Sequence, residues 1–165
     1  MAPPLQVLQK QITMAIKKKF NIDKIFEGVN LKFELIMQGF IEALEKTCLE
    51  ITEIAKSQNT YKDQTNNLRS SIGYVLYDSG EKITENFEKA GMGEGNGEQG
   101  IIKGRRIANQ AAALYPNDIV AVVVAGEDYA LYVESKGFDV LTGPASQINS
   151  IMEKNIQIVL DSFKD

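Results

Sequence analysis

A chain of 165 residues is long enough to bury one core, since domains of roughly 100–150 residues are the commonest size. With 44% hydrophobic and 24% charged residues it has the make-up of a soluble globular protein. No run approaches the ~20 apolar residues of a membrane span, and a net charge of −4 supplies no global field for a polyphosphate backbone. Histidine is absent and Cys48 stands alone, which removes Ser–His and Cys–His pairs, imidazole ligands, internal disulfides and CxxC zinc knuckles. Any catalysis would have to rest on carboxylates, lysines or tyrosines; no enzyme active site, cofactor or metal is expected.

The first twenty residues lack a secretory pattern, so synthesis and use in the cytoplasm are expected. Within them Leu5, Leu8, Ile12, Ile16 and Phe20 recur at spacings of three and four, the stripe of an amphipathic helical arm. From Phe33 to about Ser57, Phe33, Ile36, Met37, Phe40, Ile41, Leu44, Cys48, Ile51 and Ala55 keep helical period and predict one long helix, with Cys48 as a buried packing thiol. The polar stretch 57–67 reads as a loop. From Arg69 to Asp78 the period becomes two, predicting a strand; Asp78-Ser79-Gly80-Glu81 predicts a turn, and Lys82 to Glu88 the second strand of a hairpin.

Residues 91–100, GMGEGNGEQG, are too rich in glycine for regular structure without outside support and predict a mobile loop, a plain linker or, as the alternative functional reading, a segment that orders only against a partner. A helix from Ile101 to about Tyr115 follows, closed by Pro116-Asn117. The β-branched run Ile119 to Ala125 predicts a strand buried on both faces at the centre of the sheet. Tyr129 to Glu134 predicts a turn or short helix, Phe138 to Leu141 a short edge strand, and Thr142 the cap of a final helix with Pro144 in its first turn. Together these elements predict an α+β fold, a small, mainly antiparallel sheet flanked by a long helix of the N-terminal half and a C-terminal helix. A helical arm over 1–30 precedes a single domain over 31–165.

Gly95-Asn96-Gly97-Glu98-Gln99-Gly100 matches GxGxxG. A dinucleotide site needs a buried strand directly before the glycines, and the residues here are the charged ITENFEKAG. Glu94 and Glu98 also oppose the negative charge that a helix N-terminus attracts. The basic clusters Lys17-Lys18-Lys19 and Lys103 with Arg105-Arg106 read as solvated helix faces, with no more than non-specific proximity to DNA.

Two segments carry a resemblance. Asp63-Gln64-Thr65-Asn66-Asn67-Leu68-Arg69-Ser70-Ser71-Ile72 leads into a strand, and Tyr129-Ala130-Leu131-Tyr132-Val133-Glu134 follows the hydrophobic strand. In that order, after a long amphipathic helix, they resemble the tail-component family of tailed bacteriophages. The resemblance spans about Phe33 to the C-terminus. It implies a virion protein of the neck or tail-completion position, a homo-oligomeric ring, contacts with other neck and tail proteins, and no catalysis.

The chain departs from the family in three places. Asn66 stands where the family has glycine, and Asn enters left-handed backbone at modest cost. The family's Glu-x-Gly-Thr ending becomes Glu134-Ser135-Lys136-Gly137-Phe138. The glycine loop and helix at about 90–116 are an added excursion.

In this reading Asp63 and Thr65 satisfy loop N–H groups, Asn66 or Asn67 turns the chain, Leu68 plugs the core, and Arg69 emerges at the rim before Ser71 and Ile72. Tyr129 and Tyr132 share a side of a short helix, and Arg69 pairs with Glu134 within or between subunits. Two other readings stay open: a small nucleotide-binding protein or enzyme built on GNGEQG, and a cellular α+β adaptor.

Overall fold

A computed structural model of the chain describes residues 22–164 apart from Asn59; the stripe from Leu5 to Phe20 and Lys17 to Lys19 lie outside them. The fold is α+β. Helix α1 runs from Ile22 to Ser57, beginning well before Phe33. The chain divides into two compact units, the first ending at Met37 and the second starting at Gln38.

In the second unit α1 buries Ala43, Thr47, Cys48, Ile51, Thr52 and Ala55, the face its apolar period marks. Burial pushes the Cys48 thiol up to about 11, so it stays a packing group. The last helix packs on this face in the opposite direction: Gly39 lies against Val159 and Phe163, while the buried Asn155 amide donates to Thr47 Oγ1 at 3.1 Å. Thr47 Oγ1 keeps an acceptor in its own helix, the Ala43 carbonyl at 2.7 Å, whereas a slip of one turn would take this acceptor from the buried Asn155 amide and so disfavours other registers. The expected single C-terminal helix is in fact two, α5 (Thr142–Ser146) and α6 (Ile148–Ser162).

The sheet has three antiparallel strands in the order β2-β1-β3, with β1 Ile72–Asp78, β2 Glu81–Asn86 and β3 Ile119–Ala125. Ser79 (φ 50) and Gly80 (φ 82) form the hairpin turn with both central residues left-handed, the geometry that matches strand twist. The register shifts between Leu76 and Tyr77, whose partners are Thr84 and Lys82, so Ile83 is the extra residue of a bulge.

The central strand is β1, not β3. Ile72, Tyr74, Val75 and Leu76 are buried, whereas every residue of β3 is half-buried. Composition marks a strand as apolar but not which neighbours it acquires; here hairpin partner and returning strand both pair with β1. Helix α3 (Glu98–Ala112) covers one face, where Val75, Phe87, Ala108 and Ala112 form a core with Val120, Val122 and Val124 at its edge. The expected edge strand at 138–141 is irregular chain. Among the described residues no helix is long and apolar enough to cross a membrane.

Candidate functional site

The chain enters β1 through a short helix, α2 (Asn67–Ser70), where the sequence predicted strand from Arg69. Asp63 Oδ2 accepts the Arg69 N–H at 2.7 Å and Thr65 Oγ1 accepts the Asn67 N–H at 3.4 Å, as local side-chain caps do. Asn66 is left-handed (φ 59, ψ 6), a conformation that Asn enters at modest cost. Leu68 and Ile72 sit in a core cluster with Ala55, Ala130 and Val140. Ser71 Oγ donates to Leu68 O and accepts the Glu127 N–H, tying this entry to the end of β3.

Arg69 does not emerge at the rim. It is 8% exposed; its guanidinium donates to the carbonyls of Lys56 (2.9 Å) and Tyr61 (3.3 Å) and lies 5.0 Å from the Tyr61 ring centre. A buried guanidinium is tolerable when carbonyl acceptors and an aromatic face replace water. Within the chain, the expected pairing with Glu134 is not the arrangement found. The Glu134 carboxylate accepts the N–H groups of Leu141 (2.7 Å) and Thr142 (2.8 Å) and the Thr142 hydroxyl, so it caps α5 from outside and Thr142 is its donor.

The glycine loop finds its partner in its own chain. Asn66 Nδ2 donates to the carbonyls of Gly93 and Gly95, and its Oδ1 accepts the Gly93 N–H at 2.6 Å. The Gln64 carbonyl accepts the N–H of Glu94 at 3.0 Å, and Ser70 Oγ accepts that of Ala90 at 2.9 Å. A Cβ at Gly93, Gly95, Gly97 or Gly100 would fall on the backbone or side chains of residues 63–70. Glycine density here is therefore a condition for close backbone approach.

Loop and turn are coupled: the loop needs a side chain to hold it, and Asn66 supplies one that glycine would lack. Asn66→Gly is expected to keep the turn but lose about 1–2 kcal/mol with its three hydrogen bonds. Hydrogen exchange would report faster labelling at Gly93. Protection equal to wild type would uncouple the two.

The second segment meets the first. Helix α4 (Ala130–Ser135) follows Tyr129, and Ala130 and Val133 join the cluster of Leu68 and Ile72. Burial raises the Tyr129 phenol above its ordinary value. Tyr132 is exposed and lies under the Lys136 ammonium, 5.1 Å from its ring centre. Between the segments opens a cleft of about 660 Å³ lined by Asp63, Thr65, Leu68, Lys103, Glu127 and Tyr129 among others.

Lys103 Nζ reaches Glu127 (2.8 Å) and Asp128 (3.0 Å) across the cleft wall, with the Glu127 side chain only 3% exposed. Those hydrogen bonds raise the lysine above its ordinary value. Arg105 is held by Glu85 at 2.7 Å. Two of the basic residues singled out in the sequence are thus paired with carboxylates. No group of three or more Cys, Asp or Glu gathers as a metal would require among the described residues.

Burial pushes Glu134 up, yet the N–H and hydroxyl donors at Leu141 and Thr142 outweigh it and hold the carboxyl below its ordinary value. A depressed carboxylate contributes stability that is fully present above the unfolded-state value and is lost as pH falls through the folded-state value. Glu134→Gln is expected to cost about 1 kcal/mol at neutral pH, the worth of a helix cap. The gap from wild type should close below about pH 4, as denaturant titrations across pH would show; a gap independent of pH would contradict the assignment.

The N-terminus of α3 is occupied by the chain itself. Asn96 Oδ1 accepts the Glu98 N–H at 3.1 Å and Asn67 Oδ1 accepts that of Gly100 at 3.4 Å. Strand β2 ends at Asn86, eleven residues before Gly97 caps the helix, unlike the strand-turn-helix of a dinucleotide site. The sequence reading missed two features. Gly100, Gly104, Ala108 and Ala112, spaced by four, form the buried face of α3 and were legible as a small-residue stripe. The buried Glu127 carried no local signal. No family model, curated protein or solved structure matches the chain significantly.

Proposed function

We propose that this chain is a structural protein of a tailed-phage virion, acting at the neck or in tail completion, where copies close a ring and contact other neck and tail proteins. One observation carries the reading. The two segments that resemble the tail-component family, more than fifty residues apart in sequence, pack together through Leu68, Ile72, Ala130 and Val133, with the left-handed turn kept at Asn66.

The surface also supports work done by contact. Strand β3 ends the sheet as IVAVVVA without one charge along its length, while β2 at the other edge carries Glu81, Lys82 and Glu85. Edges meant to stay solitary are usually guarded by charge. In this reading the function lies in shape and repeated contacts, which a closed ring multiplies.

The test is to purify particles carrying the gene and particles from which it is deleted. Peptides of the chain are expected in several copies per mature particle, and the deletion is expected to leave heads and tails unjoined or tails unfinished. Mature particles without the chain, or normal particles from the deletion, would remove the proposal. Saturable binding of a nucleotide to the purified chain would favour the GNGEQG reading instead.

A further inference from the structure

Helix α1 carries, in the first compact unit, an apolar stripe that meets solvent. Phe26 is 61% exposed, Val29 57%, Phe33 63% and Ile36 50%. Their spacing is three, four, three; Phe40 follows after four more and places a phenylalanine at every seventh position. A contiguous exposed stripe of large apolar side chains marks an interaction surface, and strict alternation of three and four is the seam of a coiled coil, met by another helix and not by a strand or loop.

We infer that the seam is filled by the same helix of further copies of this chain, parallel and in register. Charge selects both partner and direction. In heptad terms the phenylalanines take position a and Val29 and Ile36 position d, so Lys32 is the sole charge at the flanking e and g positions between Phe26 and Phe40. In a parallel pair Lys32 faces Met37 of the neighbour, and its aliphatic stem can cover that apolar side chain. In an antiparallel pair centred on this stretch Lys32 would face its own copy, a like-charge contact. Glu27 and Glu34 fall at outer positions, so identical helices approach without opposing carboxylates. Large residues at a with β-branched residues at d favour more than two strands.

The inference needs only the helix face and does not rest on the virion reading. A chain that self-associates through α1 but never enters particles would keep this inference and remove that proposal.

Sedimentation of the full chain up to about 100 µM, where a micromolar contact is nearly saturated, tests it. The wild type is expected above monomer mass. The double substitution Phe33→Glu with Ile36→Glu is expected to be monomeric with an unchanged far-ultraviolet spectrum, whereas Leu31→Glu, on the other side of the helix, keeps the wild-type mass. Phe33→Cys with Cys48→Ala should yield an interchain disulfide on oxidation, which reports parallel register even where the glutamate variant folds poorly. A monomeric wild type, a double variant of wild-type mass, a Leu31→Glu monomer or no crosslink would each overturn the inference.

Discussion

Gly104→Ala is expected to destabilise the fold by about 2 kcal/mol, although alanine is by roughly 1 kcal/mol the better helix former. An added Cβ would fall on the Ser71 carbonyl oxygen and the Phe87 ring, and the backbone of Gly126 lies against the same residue from β3's end. Two of these neighbours are backbone and cannot rotate away, so the helix must lift from the sheet; overpacking of this kind costs about 1–3 kcal/mol. The melting temperature should fall by about 4–8 °C. At Gly28, where a Cβ would meet nothing within 4 Å, the same substitution should follow propensity and stabilise α1. A Gly104→Ala protein as stable as wild type would show that α3 does not need contact with the start of β1.

Arg69→Met is expected to cost about 3 kcal/mol. Methionine fills most of the volume, but the carbonyls of Lys56 and Tyr61 lose the donor that satisfies them, and each buried orphan costs about 1–3 kcal/mol. The aromatic face of Tyr61 also loses its cation, a smaller effect. The lesion should appear in denaturant midpoints and in faster exchange across the segment from the end of α1 to Asp63, which Arg69 stitches to α2. Lysine at this position should rescue little, because a single ammonium cannot reproduce the planar fork. Stability within about 0.5 kcal/mol of wild type, the range of ordinary surface changes, would mean that the residue sits in solvent after all.

Several features rest on local information and were legible in the sequence: the C-terminal half of α1 from its apolar period, the hairpin turn from Ser79-Gly80, β3 from its β-branched run, the burial of Cys48, and the left-handed turn at Asn66. Each follows from a residue's own backbone preference or from a period within one element. Helix α1 also begins earlier than Phe33, where Phe26 and Val29 carry the spacing of three and four back toward its start.

Other features were decided only in three dimensions. An apolar run cannot state whether it will be centre or edge, and β1 became the centre because two strands return to it. Glycines cannot state whether they serve freedom or proximity; that answer came from the backbone of residues 63–71 lying against them. Arg69 and Glu134 look like a complementary pair in one dimension, yet nearer carbonyls captured the guanidinium and the open N–H groups of α5 captured the carboxylate. Buried polar groups must find partners at whatever sequence distance the fold provides, and that distance is what no local pattern encodes.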